Sequence, residues 1–418
     1  MSNAITGQIT KIITSRRLLD LRRNKAEKQR QKRSQPHRVT VYLRINDAYS
    51  YLLLQVLAPL AKRFPLEYEF RTVLELQSDM YPAPALWDNN AFIDGQYLAS
   101  LYQLRFPEQK PGHCAERDQA FTAQLLHWEL QPGYLDNALA LFDAYWQNDG
   151  TQAEALIDQR IVDHHECYQQ HRQANETLLQ TNGHYLSGML HYGGEWYWGL
   201  DRLEHLEQRL NDLGLAEAED KRIDYNLSHR DFCQSPAAKQ ASSIPLVIYW
   251  SARSPYSYLG LVRARQLAKH YQVPLEIKPV LPMVMRRMQV PKTKRFYILL
   301  DVKREAEKVN LDFGFVADPL GRGVERCYAI FELATKRGLA AEFCESFARG
   351  VWAEGIRSDT DAGLKQLVER AGINWTEAKP LLNDQSWRAW AQSNLVDMYG
   401  EDLWGVPSFT YGDLRLFG

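Results

Sequence analysis

The sequence predicts an α/β protein made of two tandem copies of one domain, each with an all-helical subdomain inserted into its sheet. The chain has 418 residues, which is too long for one ordinary domain and suits two. Segment 39–52 resembles segment 246–259 at an offset of 207 residues. Within each copy, a β-branched and aromatic run, a helical pattern and a second strand come first, and a long helical region then precedes a late hairpin.

Several residue pairs keep this offset along the two copies. Asp94 pairs with Asp301 and Phe106 with Phe313 at 207 residues, and Trp146 pairs with Trp352 at 206. Such agreement indicates a tandem duplication. It predicts four segments: a basic N-terminal helix or tail (1–38), a first copy (39–215), a polar linker (216–243) and a second copy (244–418).

The elements of each copy follow from local patterns. A strand (39–43; 246–250) precedes a helix (48–63; 255–271) and a second strand (67–71; 275–279). The helical region of the second copy predicts helices over 325–337, 341–353, 360–371 and 386–398. A hairpin closes each copy (186–192 with 195–197; 408–411 with 414–417), and the first copy adds a helix over 201–213.

Composition narrows the class of protein. Apolar residues make up 45% and charged residues 24%, as in soluble globular proteins. There is no run of about 18 apolar residues for a membrane span and no apolar core of a signal peptide. Five scattered cysteines without a C-x-x-C pattern fit a reducing compartment. We therefore expect a cytoplasmic protein.

Charge is unevenly distributed along the chain. Residues 1–38 contain eleven Lys/Arg and two Asp/Glu, a net charge of +9, which leaves −10 for the rest because the whole chain carries −1. An acidic body argues against a nucleic-acid-binding protein. The N-terminus itself fits either docking to an anionic membrane surface or RNA, or a peripheral helix with a solvated charged end.

The most informative local string is Ser254-Pro255-Tyr256-Ser257, which follows a strand and opens a helix. Proline suits the first helical position. A side chain at a helix start lies where backbone N–H groups favour negative charge, so a thiolate held there has a lowered pKa. Ser254 is equally suited to be a simple helix N-cap. A second string, Gly405-Val406-Pro407-Ser408-Phe409, places a proline directly before a strand.

On these two strings, S-P-Y-S-Y-L-G at 254–260 and W-G-V-P-S-F at 404–409, the second copy resembles the DsbA-like branch of the thioredoxin superfamily. Within that branch it resembles 2-hydroxychromene-2-carboxylate isomerases and kappa-class glutathione transferases. The resemblance implies two tandem thioredoxin-like domains, each with an inserted all-helical subdomain. Related oxidoreductases carry C-P-x-C where this chain has Ser254 and Ser257, so a dithiol–disulfide mechanism is not expected.

The resemblance also implies a function, that of a glutathione-dependent isomerase or transferase. Ser254 would be the catalytic residue that stabilises the glutathione thiolate, and the second substrate would be a small unsaturated or aromatic acid. The implied glutathione-binding residues are Val406, Pro407, Gln289 and Lys292, where Gln289 stands in for an asparagine typical of the family. Lys294 and Arg295, just before a helix that begins near Phe296, are placed to bind the substrate carboxylate, and the alternative is an ordinary solvated basic turn. No metal, nucleic acid or membrane span is expected.

The first copy departs from this pattern and is interpreted as degenerate. Asp47-Ala48 stands where the second copy has Ser254-Pro255, and Gly188 aligns with Pro407. A carboxylate at the sulfur position would repel a thiolate. The first copy would then serve as a structural partner, and the duplication is one route to a pseudo-dimer within one chain.

The end of the second copy and a His/Cys cluster in the first copy each leave alternatives open. The family continues with an acidic residue that binds the glutathione amine; the first copy keeps it as Asp201, and we expect the second copy to be truncated after Gly418. The alternative function is a non-catalytic thioredoxin-fold scaffold or binding protein. His164, Cys167 and His171 have the types and spacing of zinc ligands, although a polar helix surface is the favoured interpretation.

Overall fold

The chain forms two compact units in this computed structural model, which describes residues 3–417 except 79, 81, 82, 113, 218 and 228–241. Most of the predicted linker (216–243) thus lies outside the described residues. One unit, here the C-terminal unit, comprises Met1–Asp20, Pro82–Asn90 and Asp231–Gly418. The other, the N-terminal unit, comprises Leu21–Tyr81 and Ala91–Arg230.

The N-terminal unit contains four strands and a helical region between the second and third. Its strands are β1 (His37–Leu43), β2 (Leu66–Thr72), β3 (Met189–Tyr192) and β4 (Glu195–Trp198). Its helices are α3 (Ala48–Arg63), α5 (Ala115–Trp128), α6 (Tyr134–Trp146), α7 (Gly150–Leu156), α8 (Gln159–Asp163), α9 (Gln169–Thr181) and α10 (Leu203–Asp212). Helices α2 (Arg16–Lys32) and α4 (Pro84–Tyr102) each belong partly to both units.

After the N-terminal helix α1 (Asn3–Ile13), the C-terminal unit has the same strand–helix–strand start, helical region and hairpin, without a described counterpart of α10. Its strands are β5 (Leu246–Trp250), β6 (Leu275–Pro279), β7 (Ser408–Tyr411) and β8 (Leu414–Phe417). Its helices are α11 (Pro255–Tyr271), α12 (Lys292–Lys308), α13 (Arg322–Lys336), α14 (Ala340–Ala353), α15 (Asp361–Arg370), α16 (Trp375–Ala378) and α17 (Trp387–Gly400). A 3₁₀ turn, Met283–Arg286, follows β6.

Both sheets have the same topology. The strand order is β2-β1-β3-β4 in one unit and β6-β5-β7-β8 in the other. In each, the first two strands run parallel and the late hairpin adds antiparallel to the first strand. A helix connects each parallel pair, as a parallel connection requires. The prediction of a mixed α/β fold with a helical insertion is confirmed.

The core of the C-terminal unit explains why its helical insertion stays attached to the sheet. Trp250 of β5 and Tyr328 of α13 are fully buried in one cluster with Trp387 of α17. The Tyr328 hydroxyl donates to the Val280 carbonyl oxygen at 2.6 Å, just beyond β6. Large buried aromatic side chains provide much apolar burial, and this hydrogen bond satisfies the buried polar end of Tyr328.

Helix α1 packs on a loop of the C-terminal unit. A Cβ atom at Gly7 would lie 2.8 Å from the Phe315 ring, so only glycine allows this close approach. The Thr10 hydroxyl accepts a hydrogen bond from the Val316 N–H at 3.3 Å. The basic stretch that follows is helical over Arg16–Lys32.

The late hairpin of the N-terminal unit starts three residues after its predicted start. Strand β3 begins at Met189, because Gly188 adopts a φ of 65° and the preceding Ser187 side chain hydrogen-bonds to Asp47. A left-handed residue interrupts the extended backbone. Among the described residues, no helix combines the length and apolar character needed to cross a membrane.

Candidate functional site

Ser254 lies at the junction between strand β5 and helix α11. It is the N-cap of α11, and its Oγ accepts a hydrogen bond from the Ser257 N–H at 3.1 Å. Pro255 follows at the first helical position. The strand directs the chain into this turn, and the cap then starts a 17-residue helix whose N-terminal N–H groups favour negative charge.

The Ser254 hydroxyl also contacts the loop before β7. Its Oγ donates to the Val406 carbonyl oxygen at 3.2 Å, and the Val406–Pro407 peptide bond is cis. A Cβ atom at Gly260 of α11 would lie 2.9 Å from Pro407 Cγ, so glycine allows α11 to approach this proline closely. The structure therefore brings together three of the predicted site residues, Ser254, Val406 and Pro407.

Ser257 has a different role from Ser254 although both stand at positions that carry cysteines in C-P-x-C proteins. It is fully buried, and its Oγ accepts a hydrogen bond from the Ser251 N–H at 3.2 Å. That contact fixes the turn between β5 and α11. Ser254 is half-buried, so it is the serine of this pair that a ligand could reach.

The other predicted site residues lie on the segment between β6 and α12. Gln289 is exposed before the helix, and Lys292 and Arg295 are exposed in the first turn of α12 with the half-buried Lys294. Gln289, Lys292 and Arg295 make no hydrogen bond to Ser254 or Val406 in the described part of the chain. Three cations in the first turn of a helix oppose its dipole, and a bound anion would offset this cost.

Arg286 and Trp404 are site neighbours that sequence reasoning missed. The Arg286 guanidinium donates to the Tyr399 hydroxyl at 2.5 Å and lies 6.0 Å from the centre of the Trp404 ring. Trp404 stacks on Tyr399 and precedes Val406 by two residues. No described carboxylate pairs with Arg286, and its Nε is buried without a hydrogen-bond partner. An uncompensated, half-buried guanidinium is suited to bind an anion.

Asn90 fixes the loop that carries Trp404. It is 4% exposed and belongs to the part of α4 that lies in the C-terminal unit. With its amide assigned so that both groups are satisfied, Nδ2 donates to the Asp402 carbonyl at 3.1 Å and Oδ1 accepts from the Trp404 N–H at 2.5 Å. Trp87, one turn earlier, contacts Phe417 of β8 edge-on. No local pattern marks Asn90, since its partners lie more than 300 residues away.

A tyrosine–carboxylate pair supports the first turn of α11. The Tyr256 hydroxyl donates to Asp301 Oδ2 at 2.6 Å, and Arg304 donates to the other oxygen of the same carboxylate. The N-terminal unit repeats the pair: the Tyr49 hydroxyl donates to Asp94 at 2.9 Å. Tyr97 replaces Arg304 there, so Asp94 lacks the cation. Burial and the nearby Asp201 charge raise the pKa of Asp94 to about 7.

Asp47 of the N-terminal unit occupies the position equivalent to Ser254 and is enclosed by hydrogen-bond donors. It is 4% exposed, and its Oδ2 accepts from the Ser50 N–H at 3.0 Å, the Ser50 hydroxyl at 2.6 Å and the Ser187 hydroxyl at 3.0 Å. Gly188 lies against it: a Cβ there would be 3.1 Å from Asp47 Oδ2. Asp47 thus caps α3, and its Oδ2 accepts three hydrogen bonds from its own chain.

None of the described cysteines lies next to Ser254, where a dithiol mechanism at this position would need one. Cys327 and Cys344 are buried in the helical insertion, where burial raises the pKa of both thiols. Cys114 and Cys167 are exposed in segments of the N-terminal unit. His171, one of the candidate zinc ligands, pairs with Glu129 at 2.9 Å. No group of three metal-ligating side chains is assembled among the described residues.

The comparison with protein families gives a match over residues 245–418, the main segment of the C-terminal unit. Residues 245–418 match the DSBA-like thioredoxin domain. The strand–helix–strand start, the helical insertion and the closing hairpin of this DsbA-like domain are those described above. No curated protein matches the chain.

Solved structures of this class resemble the chain over the length of one domain. A 2-hydroxychromene-2-carboxylate isomerase is 21% identical, with 42% of this chain and 88% of that chain covered and a TM-score of 0.37. A "probable DsbA oxidoreductase" from Streptomyces coelicolor is 16% identical over 40% of this chain and 80% of its own, with a TM-score of 0.32. A thioredoxin-like oxidoreductase from Silicibacter pomeroyi is 12% identical over 44% and 80%, with a TM-score of 0.29.

Proposed function

We propose that the DsbA-like domain binds glutathione at Ser254 and acts as a glutathione-dependent isomerase or transferase on a small unsaturated or aromatic acid. The observation that carries the proposal is the position of the Ser254 hydroxyl, at the N-terminus of α11 and 3.2 Å from the Val406 carbonyl oxygen. The sequence strings around both residues support the choice of chemistry. Serine in place of both C-P-x-C cysteines supports a bound thiol over a protein dithiol.

The residues present fit a thiol ligand that carries carboxylates. The Ser254 hydroxyl can turn from Val406 toward a sulfur, while the α11 N–H groups stabilise a thiolate there. Lys292, Lys294 and Arg295 supply positive charge for carboxylates, and Arg286 adds a guanidinium beside Trp404. Bound glutathione would supply a thiolate nucleophile for reversible addition to an unsaturated carbon.

We further propose that the two halves of the chain arose by duplication and that the first has lost this chemistry. Equivalent hydrogen bonds at the offset of 207 support the duplication: Tyr49–Asp94 matches Tyr256–Asp301, and the Arg44 N–H to Ser50 contact matches Ser251 N–H to Ser257. The enclosed Asp47 carboxylate supports the loss, because its charge and its three donors leave no place for a thiolate.

The second candidate function is a scaffold or binding protein without catalysis. One observation favours it: the single hydroxyl hydrogen of Ser254 is donated to the Val406 carbonyl oxygen, and its oxygen accepts from the Ser257 N–H, so both contacts of this hydroxyl lie inside the chain. In a protein that binds a partner without catalysis, the Ser254 hydroxyl would keep these two hydrogen bonds in both the free and the bound state.

The deciding experiment is an ultraviolet titration of the glutathione thiolate against pH, in the presence of the wild-type chain, Ser254→Ala and Thr360→Ala. Thr360 is the matched control, since it caps α15 with a hydrogen bond of the same 3.1 Å length. We expect a thiolate well below the normal thiol pKa in wild type and Thr360→Ala, and its loss in Ser254→Ala. Saturable binding with an unshifted thiol pKa favours the binding protein, and the absence of binding rejects glutathione.

A further inference from the structure

Helix α2 separates its charges onto two faces. On one face its charged residues are paired: Arg23 forms two hydrogen bonds with Glu195, at 2.7 and 2.9 Å. Arg30 pairs with Glu27 on the same face, at 2.7 Å, and Arg16 pairs with Asp20. The two acidic residues of the helix are therefore both used within this paired face.

The opposite face carries cations without partners. Its exposed members, named here the α2 cation row, are Arg17, Arg22, Lys25, Lys28 and Lys32. None of them has an ion pair or hydrogen bond with any residue that the structure describes. At about 3.6 residues per turn, these side chains fall within an arc of about 140° and extend over about 22 Å of the helix. The row is continuous, and no carboxylate interrupts it.

One exposed apolar residue lies in the middle of this row. Leu21 is 57% exposed, and helical periodicity places it between Arg17 and Lys25 around the helix. An exposed leucine side chain among cations gains no stabilisation from apolar burial while it stays in water. At a lipid headgroup boundary, however, its side chain would be buried while the cations meet phosphates.

We propose that the α2 cation row docks this protein on an anionic phospholipid surface. Clusters of four to eight Lys/Arg on a helix are the size that binds acidic lipids. The remaining chain is acidic, so attraction is concentrated at the N-terminus and would orient the protein with this helix toward the membrane. A nucleic acid is the less favoured partner, because α2 has no aromatic side chain on which a base could stack. The inference is independent of the glutathione site.

The test is co-sedimentation of the full-length chain with vesicles of phosphatidylcholine alone or mixed two to one with phosphatidylglycerol. The variant is the triple substitution Lys25→Gln, Lys28→Gln and Lys32→Gln, which keeps good helix formers. The matched control replaces three exposed lysines of the C-terminal unit, Lys336→Gln, Lys365→Gln and Lys379→Gln, with the same change in net charge. Circular dichroism checks that both variants are folded.

We expect the wild-type chain and the control to bind only the mixed vesicles and to be released by high salt, as screened charges require. The triple α2 variant should lose about 100-fold in partitioning, at roughly tenfold or less per cation. Equal loss in the control, or wild-type binding that is independent of acidic lipid, would overturn the proposal. Failure of the wild-type chain to bind the mixed vesicles would also overturn it, and tight, α2-dependent binding to single-stranded RNA would then favour a nucleic acid.

Discussion

Asn90 and Trp404 are 314 residues apart in the sequence, yet the Asn90 amide hydrogen-bonds to the backbone of Trp404. A residue from the first half of the chain thus holds the loop that leads to Val406. We expect Asn90→Ala to free the Trp404 N–H and to raise the Kd for glutathione roughly tenfold, equivalent to about 1.4 kcal/mol. Hydrogen exchange at the Trp404 amide and a glutathione titration measure the two effects.

Asn89→Ala is the control for this prediction, since Asn89 makes no side-chain hydrogen bond to any described residue. Asn90→Asp should recover part of the effect, because a carboxylate still accepts from the Trp404 N–H. If amide exchange at Trp404 is unchanged in Asn90→Ala, Asn90 does not position the loop.

Gly260→Ala should destabilise the C-terminal unit. The added Cβ would lie 2.9 Å from Pro407 Cγ and 3.1 Å from Phe409 Cζ, so α11 or the Pro407 loop must shift. Overpacking of this kind typically costs about 1–3 kcal/mol, to be measured as the free energy of unfolding in urea. Gly400→Ala is the control, since nothing lies within 4 Å of its added Cβ. Equal stabilities of the two variants would mean that α11 and Pro407 are not tightly packed.

Asp94 should make the stability of the N-terminal unit depend on pH. Burial and the Asp201 charge raise its folded-state pKa from 3.8 to about 7. A folded state that binds the proton more tightly than the unfolded state loses stability as pH rises between these two values. Between about pH 4 and pH 7, the free energy of unfolding of the wild-type chain should therefore decline, and Asp94→Asn should remove this part of the decline. Thermal or urea unfolding at a series of pH values measures both.

Asp301→Asn is the informative comparison for Asp94→Asn. Asp301 is 2% exposed and pairs with the largely buried Arg304, so Asp301→Asn removes the negative charge that this cation faces. Breaking one side of such a pair is strongly destabilising. The Asp301 variant should therefore be less stable at neutral pH, where the Asp94 variant should be at least as stable as wild type. The reverse order would contradict the assignment of the two carboxyls.

Arg286 and Arg287 are adjacent cations with different surroundings, and they test the anion contact near Trp404. Arg287 is exposed, whereas Arg286 is half-buried between Tyr399 and Trp404 without a described carboxylate partner. If a glutathione carboxylate reaches this guanidinium, Arg286→Gln should weaken glutathione binding about tenfold. Arg287→Gln removes the same charge and should leave the Kd unchanged. Equal losses would indicate only a general electrostatic attraction.

Local sequence signals were sufficient for most elements of the C-terminal unit. Helix α11 has its predicted bounds, Pro255–Tyr271, because a serine cap and a proline at the first helical position mark its start. Strands β5 and β6 also have their predicted bounds: β5 is a β-branched and aromatic run, and β6 alternates apolar and charged residues before Pro279. The hairpin start at Met189 was missed because it depends on the conformation of Gly188.

The site could be predicted only where its residues belong to a local string. Ser254 and Val406 were identified in this way, and the structure places them in contact. Arg286 and Asn90 were missed because their hydrogen-bond partners are far away in the sequence. Hydrophobic periodicity predicts local elements and does not predict which distant residues meet. The contact between Ser254 and Val406 is observed, but the roles of all the predicted site residues stay predictions, namely those of Ser254, Val406, Pro407, Gln289, Lys292, Lys294 and Arg295.

The packing of α1 on the loop at Phe315 and Val316 affects how the chain must be made. Helix α1 is synthesised before this loop, and the Val316 N–H that donates to Thr10 follows 306 residues later. At about 5–20 residues per second, roughly 15–60 seconds of translation separate the two. Throughout that interval the nascent chain carries a helix whose docking partner does not yet exist, so the C-terminal unit can close only after most of the protein has emerged.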